Sequence, residues 1–343
     1  MKNNSIIILF LILLCMTCEE KSENNIEKKN IDSIFMAKIS KEMSLDNLKS
    51  TEFILTLESK LSDSLNSIYT PSLLFAWQEI VEYFKSPIEV LSSNSIDFQL
   101  INRSNTFQNA LNKDEYETTI KTSIDGIEAT AYFKKILPFA AKFHSQNQPL
   151  DFRTHKVRSF GLNYPDFRLL DYFEILYYLD EDHFAVKMFP ADTSSEIILA
   201  KGINVSGTFS DLLGSTNKWI KEGRAEKVVE GNKWKYSFQD EDYLSIPVIK
   251  FNVGTHYSSL EEQKFKVNSK SYDVIKAYQR TAFIFDEYGA LVESFSSTAC
   301  DTSRPVPKKM IFDKPFVIFI KKKDITNPYF AMKVMNSELM EKK

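Results

Sequence analysis

The chain has 343 residues, 43% hydrophobic and 26% charged, with 27 Phe and 15 Tyr, which is ample apolar material for a large core. A formal net charge of -3 and a pI near 6.0 give no electrostatic footprint for nucleic acid. The 9 Gly and 11 Pro exclude collagen-like or low-complexity architecture, and no repeat of fixed period is present.

The N-terminus reads as processing sequence. Lys2 precedes an apolar run, Ile6 to Met16, which is too short to span a bilayer and has the form of a secretory h-region. Cys18 follows the small Thr17 and opens an acidic, polar stretch, Glu19-Glu20-Lys21-Ser22-Glu23. This junction resembles a bacterial lipoprotein signal, although Cys15 stands where an aliphatic residue is usual. The resemblance implies a signal peptide over 1–17, lipid on Cys18, and an exported lipoprotein of the cell envelope, at the outer membrane or the cell surface. The alternative is an ordinary cleaved signal. With Cys15 removed and Cys18 lipidated, Cys300 is the remaining thiol, so neither an internal disulfide nor a cysteine metal cluster is expected.

Residues 18–43 read as a polar tether, and 44–343 as one domain without an internal linker. Leu48, Phe53, Leu57, Leu61 and Leu65 predict a first helix over 45–65, with Ser44 as cap. A second starts at Pro71, with Leu74, Trp77, Ile80, Val81 and Phe84 on one side. Residues 86–126 carry no clear pattern. From Ile127 the signal turns to strands. Residues 172–179 and 183–189 predict a hairpin closed by Asp180-Glu181-Asp182, with Phe184, Val186 and Met188 alternating on one face. A short strand is expected over 196–200 and a helix over 209–220, ending near Gly223. Further strands are expected over 244–253, 281–285, 316–320 and 329–335. Helices lead and strands follow, which is the pattern of an α+β fold with mixed or antiparallel sheets.

Catalytic signatures are missing. G-x-S-x-G, H-E-x-x-H, GxxxxGK[ST] and G-x-G-x-x-G do not occur, and His144, His155, His183 and His256 are scattered. An enzyme is not expected, nor a metal or cofactor. Asp180-Glu181-Asp182 reads as a solvated tip and Lys321-Lys322-Lys323 as turn protection.

The informative stretch is 289–311, long, rich in Ser, Thr, Ala and Pro, and bracketed by two predicted strands. Loops beyond about 12–15 residues are usually functional or disordered. Thr281-Ala-Phe-Ile-Phe-Asp-Glu-Tyr-Gly-Ala290 resembles the strand and hinge that begin a serpin reactive-centre loop. Ile311-Phe-Asp-Lys-Pro-Phe-Val-Ile-Phe-Ile320 resembles the segment after that loop, and 328–336 the closing strand. Ile246-Pro-Val-Ile-Lys-Phe251 is similar to another serpin strand, and Tyr132-Phe-Lys134 and residues 69–74 are weaker echoes. Two features depart from the family: Ala129 stands where it has Asn, and the segment from Pro71 to Tyr132 is short, so the N-terminal half is abbreviated.

The resemblance implies a monomeric, serpin-like protease inhibitor with an exposed loop over 289–311, bound for a serine or cysteine protease. Its hinge would comprise Glu287, Gly289, Ala290, Val292 and Ser294. The cut would fall in the region of Thr302, Ser303 and Arg304, with Pro305 disfavouring cleavage after Arg304. Period 2 puts Ala290, Val292, Ser294, Ser296 and Thr298 on one face of an inserted strand, and Leu291, Glu293 and Phe295 on the other. The alternative is a non-inhibitory binding or structural lipoprotein on the same fold.

Overall fold

Among the described residues, twenty strands and three α-helices are drawn together mainly by pairing between distant parts of the chain. A computed structural model describes residues 40–91, 95–123, 126–133, 137–139, 141–163, 167–239, 241–288 and 306–343. Residues 41–343 form one compact unit.

The first sheet has seven strands: β1 (Met43–Ser44), β4 (Glu89–Val90), β5 (Tyr116–Thr122), β6 (Gly126–Phe133), β15 (Ile249–His256), β16 (Lys264–Val267) and β17 (Lys270–Phe285). The second has four: β7 (His144–Ser145), β10 (Ser159–Asn163), β14 (Tyr243–Pro247) and β18 (Lys309–Ile311). The third has seven: β2 (Thr51–Ile54), β3 (Asn66–Tyr69), β11 (Phe173–Asp180), β12 (His183–Met188), β13 (Ser195–Lys201), β19 (Phe316–Lys322) and β20 (Phe330–Val334). A small pair, β8 (Leu150–Phe152) and β9 (His155–Val157), lies apart from these sheets. The helices are α1 (Ser72–Phe84), α2 (Ile96–Arg103) and α3 (Phe209–Lys227). The architecture is α+β with mixed sheets, the class expected from the sequence, although strands β1, β2 and β3 precede the first α-helix.

β17 is the axis of the first sheet. Asn268 and Ser269, at φ 49° and 69°, close a two-residue turn from β16 into it. β15 and β16 then share one edge of β17, both antiparallel, while β6 runs parallel along the other from Gly126↔Asp273 to Phe133↔Thr281. In the third sheet, β19 reads Phe-Val-Ile-Phe-Ile, and those five residues are buried because both faces are covered. Phe319 meets Phe209 of α3 on one face, at 6.3 Å between ring centroids. On the other face Phe330, opposite Ile320, stacks on Phe283 of β17 at 4.3 Å. Each such buried ring contributes about 1.5–3 kcal/mol to holding the two sheets together.

Four expectations are corrected. The helix over 45–65 is instead one 3-10 turn, Leu45–Asn47, followed by the parallel strands β2 and β3. Long-range pairing overrides the leucine spacing here. β20 lies against β3, and buried Asn66 accepts from the backbone N–H of Met335 at 2.8 Å and donates to the Asn336 side chain at 2.7 Å. The helix beginning at Phe209 runs through Gly223 to Lys227. That glycine lets the helix approach β11, since a Cβ there would collide with the Leu176 carbonyl oxygen. The strand over 244–253 is two strands broken at Val248, in different sheets. Finally, the predicted loop 289–311 is too long at its far end, because Lys309–Ile311 is strand β18 and Met310 is wholly buried. The segment outside the described residues is 289–305.

Candidate functional site: the frame around residues 289–305

β17 delivers the chain to the segment through an aromatic corner. Phe285 lies 5.7 Å from Phe139 and 5.2 Å from Phe160, and Phe143 packs 4.9 Å from Phe139. Asp286 caps the next turn by accepting from the Tyr288 N–H at 2.9 Å. Between them, Glu287 is buried, and its carbonyl accepts from the Phe143 N–H at 3.0 Å. Its carboxylate receives one guanidinium nitrogen of Arg158 at 2.8 and 3.0 Å, and the other terminal nitrogen of Arg158 donates to Glu341 at 2.9 Å. Arg158 is itself fixed by its main chain, which donates to the Glu341 carbonyl and accepts from the Val248 N–H. Burial draws the Arg158 pKa down, but the contacts with Glu341 and Glu287 outweigh it and raise it, so the cation is permanent.

The far end is held differently. Lys308 is wholly buried; its Nζ donates to Asp242 at 2.6 Å and to the Trp234 carbonyl at 3.0 Å, and its N–H donates to the other Asp242 oxygen at 2.6 Å. Burial pushes the Lys308 ammonium below its ordinary pKa, with Asp242 opposing. β18 then runs parallel to β14 from Tyr243↔Lys309 to Ser245↔Ile311. Phe312 is clamped between Phe184 and Phe316, each at 5.0 Å. Buried Lys201 closes the corner, donating to the Ile311 carbonyl at 2.8 Å and to Asp313 at 2.6 Å and pairing with Asp182 at 3.0 Å.

These two holds stand at opposite ends of one ladder. β10 pairs with β14 from Ser159↔Pro247 to Asn163↔Tyr243. Arg158 precedes the first pair, and Asp242 precedes Tyr243 of the last. A five-residue antiparallel ladder is roughly 14 Å long, so the ends of segment 289–305 are fixed apart from each other.

Beside the segment's start lies the seam between β6 and β17. On its inner side Gln279 of β17 is buried, donating to Thr70 at 2.7 Å and accepting from the Ser72 hydroxyl at 2.9 Å and the Leu73 N–H at 3.3 Å, which ties α1 to β17. The β6 residues on that side include the small Ala129 and Ala131, both buried. On the outer side, Arg280 lies 5.1 Å over the Tyr132 ring, directly across the seam.

Of the site residues expected from sequence, Glu287 is placed, as a buried ionic tie. Gly289, Ala290, Val292, Ser294, Thr302, Ser303, Arg304, Cys300 and Cys18 lie outside the described residues. Sequence reading missed Arg158, Glu341 and Gln279, which no local pattern marks, and Asp242, which follows Asp240-Glu241 and looks like a solvated turn. Among the described residues, no group of three or more His, Cys, Asp or Glu is arranged to hold a metal, and no helix is long and apolar enough to cross a membrane.

No protein-family profile matches the chain, and no curated protein sequence matches it. The solved structures it resembles include serpins. Serpin48, described as a highly specific serpin of the insect Tenebrio molitor, matches at 14% identity and TM-score 0.35, over 63% of this chain and 57% of that one. Thyroxine-binding globulin in complex with thyroxine matches at 10% identity and TM-score 0.37, over 62% and 57%. Uncleaved ovalbumin matches at 12% identity and TM-score 0.36, over 61% and 53%. The overlap therefore reaches only 53% to 57% of these serpins' length. Serpins are also the class that residues 246–336 resemble in sequence. Overlaps of this size leave the fold to be defined by the chain's own sheets.

Proposed function

We propose that the chain is a serpin-like protease inhibitor of the cell envelope, that segment 289–305 is its bait, and that it has no catalytic activity of its own. The observation that supports this reading best is the fixing of the segment's two ends in separate rigid corners, Glu287 by Arg158 and Lys308 by Asp242. A segment whose ends are held this way is offered to a protease between two fixed points. Cleavage breaks one amide, leaves the upstream carbonyl bound to the protease nucleophile as an ester (serine) or thioester (cysteine), and frees the downstream amine, which takes the nucleophile's proton. The upstream arm can then fold back after Tyr288. Placed between β6 and β17 it would run antiparallel to both, with Ala290, Val292, Ser294, Ser296 and Thr298 turned toward the side where Ala129 and Ala131 lie.

The test is incubation with a panel of serine and cysteine proteases. Inhibition predicts a covalent complex that survives SDS; a chain that is only nicked contradicts it. That second outcome is the non-inhibitory reading, a binding or structural lipoprotein, and the bulky Leu291, Glu293 and Phe295 together with the closed β6–β17 pairing favour it.

The same proposal includes export and a lipid on Cys18. Fatty-acid labelling of the chain, lost in Cys18→Ser, is the expected result; label retained in that variant contradicts it.

A further inference from the structure

β5 forms one margin of the first sheet. Among the described residues it pairs with β6 alone, from Tyr116↔Phe133 to Thr122↔Ile127, without a bulge. A seven-residue margin of this kind presents a row of backbone donors and acceptors to another strand, and proteins ordinarily blunt it with proline, a bulge, brevity or charged side chains. Tyr-Glu-Thr-Thr-Ile-Lys-Thr has no proline or bulge, its Tyr, Ile and Thr residues favour strand pairing, and its two charges are of opposite sign, so they repel a random strand less than they attract a copy of this one. The inner face is already supported, since Tyr116 stacks on Phe75 of α1 at 4.1 Å. The outer face carries Glu117, Thr119 and Lys121, all exposed.

We propose that a second copy of this chain occupies this margin, β5 against β5 in antiparallel register about a twofold axis at Thr119. The strand is self-complementary. Thr119 is the midpoint of the strand, and the residues two places to either side carry opposite charge. The register with full seven-residue overlap therefore sets Glu117 of each copy opposite Lys121 of the other, twice by symmetry. It also sets Tyr116 opposite Thr122 and Thr118 opposite Ile120 on the inner face. Moving the axis to Thr118 or Ile120 shortens the overlap and places Glu117 or Lys121 against Thr119. Among the described residues Lys121 makes a loose, exposed contact with Glu128, at 3.9 Å, which a second carboxylate can share. This dimer replaces the monomer expected from the serpin resemblance, and it does not depend on what segment 289–305 does.

The test is sedimentation of the full chain in non-ionic detergent over a range of concentrations. The wild type associates as a dimer. Lys121→Glu sets like charges opposite each other twice and weakens association about tenfold. Glu117→Lys with Lys121→Glu restores it. Both positions are exposed, and unchanged circular dichroism confirms that the variants fold. A wild type that stays monomeric, or equal association of all three chains, overturns the proposal. The register has its own readout: in a Cys300→Ser background, Thr119→Cys cross-links to itself on oxidation whereas Thr122→Cys does not. Equal yields overturn the Thr119 axis.

Discussion

Arg158 holds both carboxylate oxygens of Glu287 through a single nitrogen, at 2.8 and 3.0 Å, while its second terminal nitrogen holds Glu341. The last residues of the chain thereby brace the start of segment 289–305. Glu287 is the buried partner, with 5% of its side chain exposed against 31% for Arg158, so losing the cation is the more damaging change. Arg158→Ala leaves a carboxylate buried without its partner and destabilises by about 3 kcal/mol. Glu287→Gln keeps a neutral acceptor for the guanidinium and costs nearer 1 kcal/mol. Urea unfolding midpoints at constant slope measure both. Equal midpoints for wild type and Arg158→Ala would show that the contact does not hold this corner.

The opposite hold is stiffer, because Lys308 and Asp242 are each only 1% exposed at the side chain. Asp242→Ala strands an ammonium in the interior and is expected to destabilise by about 3–5 kcal/mol. It also removes the acceptor for the Lys308 N–H, which should loosen β18 from β14. Hydrogen exchange over residues 308–311 reports this directly. Protection equal to wild type would mean that β18 is held by its backbone ladder alone.

Asp182 gives the frame a dependence on acid. The Lys314 and Lys201 ammonium groups hold its carboxyl below the ordinary aspartate range. A depressed carboxylate pKa contributes stability that is complete above the unfolded-state value of about 3.9 and is lost as pH falls through the lower folded value. The stability gap between wild type and Asp182→Asn should therefore be constant near neutrality and close below about pH 4. Its size is small, since Asp182 is 46% exposed and screened by solvent. A gap that persists unchanged into strong acid would assign the effect to something other than charge.

The parts of this fold that were legible in sequence are those where local pattern and tertiary demand agree. Phe184, Val186 and Met188 alternate and are buried on one face of β12, and Pro71 marks the start of α1. The run Phe316–Ile320 announces a strand covered on both sides, and becomes β19. What was illegible depends on partners far away in the chain. Leu57 and Leu61 carry helical spacing, yet both are buried in the irregular stretch between β2 and β3, which β20 completes from more than 250 residues downstream. The frame around segment 289–305 was legible only in part. Glu287 could be singled out by its resemblance to a hinge, whereas Arg158, Glu341 and Asp242 belong to no motif and meet their partners only after β10, β14 and β17 have assembled.

The central claim is that a cut in segment 289–305 converts its upstream arm into a strand between β6 and β17. Thermal unfolding of the chain before and after a single protease nick there tests it most directly. Insertion adds a paired strand to the seven-stranded sheet and buries the small face of Ala290, Val292 and Ser294, so the nicked chain is predicted to melt well above the intact one. An unchanged or lower melting temperature would contradict the account, leaving a serpin-like scaffold whose segment is cut without consequence.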